Sequence, residues 1–202
     1  MAEALELTAD ALTMEREWKT PDRGTVGIIF LIVTESALFL IFVLAYLVYI
    51  GKSVVGPYPK DVLEMPIAAT VCLLSSSLTI VMAEHQLEKN RIGPFRLWWA
   101  ITILLGLYFL YDTALEWKKL IYVDHLTIST NLFGTTFYSL VGLHASHVTV
   151  GMTFLLLVFT VSLLGFPIET QKRRVKFLSW YWHFVDWVWV IVFTVVYIVS
   201  AR

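Results

Sequence analysis

The chain has 202 residues, of which 58% are hydrophobic, and its mean hydropathy is +0.73. A soluble globule of this size cannot cover that much apolar side chain, so the composition excludes a soluble domain and favours a membrane protein. The net charge of −1 gives no reason to expect a nucleic-acid partner, and the single cysteine, Cys72, excludes an intrachain disulfide.

Five segments are long and apolar enough to cross a bilayer as helices, which requires about 20 mostly apolar residues each. None of them alternates as the strands of a membrane barrel do. All six prolines lie outside these segments or at their starts, where a helix tolerates proline. We predict an all-α integral membrane bundle of five transmembrane helices in residues 26–202, preceded by a tail at 1–25. The spans are about 26–50, 66–85, 94–117, 131–164 and 177–201.

The distribution of lysine and arginine predicts the orientation, because cytoplasmic loops are enriched in both residues. Ten of the 15 basic residues lie in the N-terminal tail and in the two loops on its side, and five lie on the opposite side. We therefore expect a cytoplasmic N-terminus and a C-terminus outside the cell. Aromatic residues near both predicted interfaces, among them Trp182 and Tyr197, are typical of interfacial belts.

Several ionisable side chains lie inside the predicted spans, where each needs a partner or a function. His144 and His147 are three residues apart and share one helix face, as do His183 and Asp186. At about 1.5 Å per residue, Glu35, His147 and Asp186 lie at similar depth, so a carboxylate–histidine–carboxylate cluster is geometrically possible. The candidate residues, which lie on the first, third, fourth and fifth spans, are Glu35, Glu116, His144, His147, His183 and Asp186.

Each candidate has a structural and a functional interpretation. Glu35 is either a satisfied polar group at a helix interface or a proton-handling carboxylate. The two histidines of the fourth span form a packed, hydrogen-bonded pair or bind a metal. Two stacked haems require well-separated histidines on facing helices, which one pair three residues apart does not supply. We therefore expect no haem or metal to be bound by this chain.

Sequence motifs on several spans resemble subunit III of the haem-copper oxidases. The last span carries WYWHFVD at 180–186, followed by Trp189, which is similar to the family's WHFxDxxW signature. The fourth span carries GLHASHV at 142–148, the second LLSSS at 73–77, and the first TESALF at 34–39, where Glu35 matches the family's intramembrane carboxylate. Glu116 of the third span also stands at the family's spacing.

The resemblance implies an accessory subunit, of the five-helix bacterial form, in the bacterial inner (plasma) membrane. Such a subunit binds no haem or copper itself, since these cofactors belong to the partner subunits. It packs with subunits I and II, supports proton uptake, binds phospholipid and keeps catalytic subunit I intact. A cytochrome c oxidase is favoured, and a quinol oxidase or the related nitric oxide reductase-associated subunit is the alternative within the family.

A different class of function also fits the buried polar residues. A free-standing transporter could use a cluster of Glu35, His147 and Asp186, although transporters more often show internal repeats and broken helices. For the accessory subunit we predict instead a hydrogen-bonded seam of Glu35, His147 and Tyr181. This seam would join the first, fourth and fifth helices.

Overall fold

The computed structural model describes residues 22–165 and 172–200, and these residues contain helices and no strand. Five helices in this part are long and apolar enough to span a membrane. They are α1 (Arg23–Tyr49), α2 (Ile67–Glu88), α3 (Ile92–Tyr122), α4 (Leu132–Leu163) and α5 (Lys172–Phe193), and a π-helical turn, Thr194–Val199, continues α5. The prediction of an all-α membrane bundle with five spans is confirmed.

The helices extend past the predicted spans at their charged ends. α3 continues beyond residue 117 to Tyr122, and α5 begins at Lys172 rather than at residue 177. The basic segment 172–176 therefore belongs to the helix, although hydropathy assigns it to a loop. Lysine and arginine are good helix formers, and their long side chains reach polar surroundings from inside a helix. A short helix that the sequence does not predict, Pro59–Val62, lies between α1 and α2.

Side-chain caps fix the start of two helices. Asp22 accepts a hydrogen bond from the backbone N–H of Gly24 at 3.0 Å, at the start of α1. Asn131 accepts one from the N–H of Gly134 at 2.8 Å, at the start of α4. Such caps satisfy N–H groups that have no partner within the first helical turn.

The fifth helix is the centre of the bundle. α2 and α3 form an antiparallel hairpin, α3 packs on α4 and α4 on α1, while α5 packs against α1, α2 and α4. Trp182 and Trp189 of α5 are buried in the core, so the prediction that Trp182 is an interfacial anchor is wrong. A Cβ atom added to Gly151 would lie 2.9 Å from the Trp182 ring, and one added to Gly106 would lie 3.2 Å from it. These glycines of α4 and α3 therefore make room for the indole, as small residues do where membrane helices approach closely.

Candidate functional site

A carboxylate and a histidine from two helices meet inside the bundle. Oε2 of Glu35 on α1 lies 3.0 Å from Nε2 of His147 on α4. Nδ1 of the same imidazole lies 2.8 Å from the carbonyl oxygen of Leu143, one turn earlier. A carbonyl only accepts hydrogen bonds, so Nδ1 carries a proton. The hydrogen bond between Glu35 and His147 then contains one further proton, which belongs either to the carboxyl group or to Nε2.

Tyr181 of α5 brings a third helix to this pair. Its hydroxyl donates to the backbone carbonyl of His147 at 3.1 Å, so it contacts the main chain of α4 rather than the carboxylate. The side chains of Glu35 and His147 are 30% and 14% exposed. We refer to Glu35, His147 and Tyr181, which meet where α1, α4 and α5 pack together, as the Glu35 seam.

Asp186 does not join this seam, so the carboxylate–histidine–carboxylate cluster is not formed. It turns to α2, where the hydroxyl of Ser77 donates to Oδ2 of Asp186. Nδ1 of His183 lies 3.0 Å from the same hydroxyl oxygen. A serine hydroxyl has a single proton, so once this proton is directed to Asp186, Nδ1 of His183 must be the donor in the second bond. The sequence displays Ser77 only within a serine-rich run and gives it no role.

Glu116 of α3 is bonded to the end of α5. The hydroxyl of Tyr197 lies 2.9 Å from both carboxylate oxygens of Glu116. Tyr197 lies in the π-helical turn and is only 2% exposed, so the prediction that it belongs to an interfacial belt is wrong. A π-helical turn changes the direction in which the following side chains point, and such turns are frequent at functional sites.

His144 is completely buried among aromatic rings, so the interpretation of His144 and His147 as a hydrogen-bonded pair is wrong. Neither of its ring nitrogens has a hydrogen-bond partner in the part of the chain that the structure describes. Its ring centroid lies 5.0 Å from that of Trp189 and 5.8 Å from that of Phe109, which it meets edge to face. Among residues 22–165 and 172–200, no three histidine, cysteine, aspartate or glutamate side chains are grouped to hold a metal ion.

A groove of about 580 Å³ opens beside the Glu35 seam, between α1, α4 and α5. The three seam residues line one end of it, and Arg174 near the start of α5 lines the other. Apolar side chains such as Phe154 cover most of the walls in between. The groove therefore connects a charged end of the helix bundle with the intramembrane carboxylate.

Fold and site define a polytopic helical membrane protein. Its intramembrane polar side chains form small groups, each of which connects two or three helices. The family model for "Cytochrome c oxidase subunit III" matches residues 19–201 of the chain.

Three curated relatives, each named "Cytochrome c oxidase subunit 3", are similar to it. The relative from Alkalihalophilus pseudofirmus is 34% identical over 190 residues, which cover 90% of this chain and 92% of the relative. That from Bacillus sp. (strain PS3) is 36% identical, with 82% and 81% covered. That from a Synechocystis species is 33% identical, with 88% and 76% covered. The chain belongs to the cytochrome c oxidase subunit III family.

Proposed function

We propose that this chain is the accessory subunit III of a haem-copper terminal oxidase of the cytochrome c oxidase type, acting in aerobic respiratory electron transport. In this role it packs against catalytic subunit I, in a complex that also contains subunit II. The haem and copper of the complex belong to those partners. Membership of the family, over nearly the whole membrane portion, supports this assignment.

The observation that carries the functional part of the proposal is the Glu35–His147 pair. Intramembrane ionisable residues are costly and mark proton pathways or structural pairs. Here one proton is shared between two titratable groups at the end of a groove, and the Glu35 side chain is 30% exposed. A pair that is partly accessible and shares a proton suits a subunit that supports proton uptake by its catalytic neighbour.

The groove beside the seam suits a phospholipid. Its apolar walls match acyl chains, and Arg174 at its charged end matches an anionic headgroup. Arg174→Gln should remove bound anionic phospholipid from the purified complex, whereas Arg91→Gln, which changes an exposed arginine away from the groove, should not. Equal phospholipid content in both variants and the wild type would argue against this lipid site.

The excess of basic residues on the side of the N-terminal tail supports an inward-facing N-terminus and an outward-facing C-terminus, in a bacterial inner membrane. In this orientation the start of α5, with Arg174, faces the cytoplasm. The groove beside the Glu35 seam then opens toward the side from which an oxidase of this class takes up protons.

Copurification tests the assignment directly. The tagged chain, extracted from its native membrane in mild detergent, should carry other oxidase subunits with it. Its reduced-minus-oxidised spectrum should contain haem bands. The same chain produced in a host without those subunits should contain neither haem nor copper in stoichiometric amount. A native preparation without haem, or a metal-loaded isolated chain, would refute the accessory-subunit assignment.

A further inference from the structure

One tryptophan of α5 occupies an unusual position. Trp187 is 71% exposed, whereas the other described tryptophans are buried or half-buried. The helix spans Lys172–Val199, so Trp187 lies within about 2 Å of its midpoint by helical rise. Exposed tryptophans of membrane proteins are enriched at the two interfaces, where the indole N–H reaches headgroups or water. Trp187 instead lies near the middle of its helix, far from both interfaces.

A groove of about 320 Å³ lies next to Trp187, between α1 and α5. Its rim is formed by Leu40 of α1, which is 57% exposed, and by Trp187 and Ile191 of α5, the latter 51% exposed. The hydroxyl of Ser36 also lines the groove and donates to a carbonyl of its own helix at 2.6 Å. A serine at an exposed position in a membrane helix is typical of helix–helix contacts.

The indole N–H of Trp187 indicates whether lipid or protein covers this face, because it needs a hydrogen-bond acceptor. Within the described residues, the Trp187 indole N–H has no hydrogen-bond acceptor, and acyl chains at mid-depth offer none. An unsatisfied donor in hydrocarbon costs free energy, whereas a helix of another protein can present a hydroxyl or a carbonyl oxygen to it.

We infer that the groove between α1 and α5 around Trp187 is a docking face for a transmembrane helix of another oxidase subunit, which supplies an acceptor to the Trp187 indole. The identity of the occupant as an oxidase subunit rests on the proposed function.

The chain offers a matched control: Leu78 of α2 is 67% exposed and lies near the midpoint of its helix, Ile67–Glu88.

Photo-crosslinking in the intact complex tests this inference. A photoreactive phenylalanine analogue at position 187 should form a covalent adduct with a different subunit of the complex, whereas the same analogue at position 78 should label lipid. Only lipid adducts at position 187, or an adduct with a second copy of this chain, would overturn the docking face. Haem that coelutes in the same preparation shows separately that the assignment to an oxidase stands.

A conservative substitution isolates the hydrogen bond. Trp187→Phe keeps an aromatic ring and removes the N–H, so the subunit should dissociate from the complex roughly fivefold faster in detergent, as expected for the loss of one hydrogen bond. Trp187→Ala should accelerate dissociation further, and Leu78→Ala should leave it unchanged. A Trp187→Phe variant that dissociates at the wild-type rate would show that the indole has no acceptor in the complex.

Discussion

Removal of the Glu35 carboxylate should loosen α1 from the rest of the bundle. α1 buries only three described side chains, Phe39, Val43 and Tyr46. Among the described residues, its polar side-chain contacts with the rest of the bundle are the Glu35–His147 pair, a 2.7 Å bond between Tyr46 and Ser200, and an exposed ion pair of its cap residue Asp22 with Arg173. Because α1 has so few attachments, the loss of one of them should be measurable in Glu35→Ala.

The size of the effect follows from what the substitution leaves behind. Glu35→Ala removes the hydrogen-bond partner of Nε2 of His147, and the His147 side chain is only 14% exposed. An unpaired buried polar group costs about 1–3 kcal/mol, and the partial exposure of Glu35 favours the lower part of this range. A loss of about 1–2 kcal/mol changes an equilibrium constant roughly 5- to 30-fold. Glu35→Gln can still hydrogen-bond the imidazole and should cost less.

The assay is the retention of this subunit through detergent purification, measured against the haem content of the complex. Glu35→Ala, His147→Ala and the double variant form a double-mutant cycle. If the two residues interact, the double variant should lose little more than the worse single variant. Ser146→Ala is the control, because among the described residues that hydroxyl bonds only to a carbonyl of its own helix. Losses that simply add would refute the coupling and with it the Glu35 seam.

Three further predictions concern other parts of the bundle. Ser77→Ala strands the histidine and the aspartate of α5 and should destabilise the subunit by about 1–3 kcal/mol in thermal unfolding, whereas Ser75→Ala should be neutral. Tyr197→Phe leaves the α3 carboxylate without its donor and should lower the melting temperature, whereas Tyr111→Phe, on an exposed face, should not; equal melting temperatures would contradict this. A reporter at the C-terminus should be periplasmic and one inserted in 166–171 cytoplasmic; a cytoplasmic C-terminus would contradict the predicted orientation.

The sequence predicts the depth of a side chain in the membrane much better than it predicts the direction in which that side chain points around the helix axis. Hydropathy and the helical rise give the depth of each polar residue, and depth alone matches Glu35 with His147, which the structure brings together. The same argument matches Asp186 to that pair, yet its side chain turns to Ser77 on α2. Rotation about the helix axis is fixed by the packing of neighbouring helices, and no pattern within a single span contains that information.

Aromatic residues show the same limit in another form. Trp182 and Tyr197 stand near the two ends of the predicted fifth span, where statistics favour an interfacial anchor, but both are buried. Trp182 enters the core because Gly106 and Gly151, far away in the sequence, leave space for its ring. Tyr197 turns inward within a π-helical turn, which composition does not predict. These outcomes depend on partners in other helices and could not be derived from local sequence.

The motif-rich last helix acts primarily by packing. Several hydrogen bonds join α5 to its neighbours: Trp182 Nε1 donates to Ser76 of α2 at 2.8 Å, and Trp189 Nε1 donates to Thr70 of α2 at 3.1 Å. Tyr181 bonds the backbone of α4, and Tyr197 bonds the carboxylate of α3. In a bilayer the hydrophobic effect does not hold helices together, so close packing and interhelical hydrogen bonds must do so. The tryptophan, tyrosine, histidine and aspartate side chains of the last helix and its π-helical turn are therefore accounted for by hydrogen bonds that join it to α2, α3 and α4.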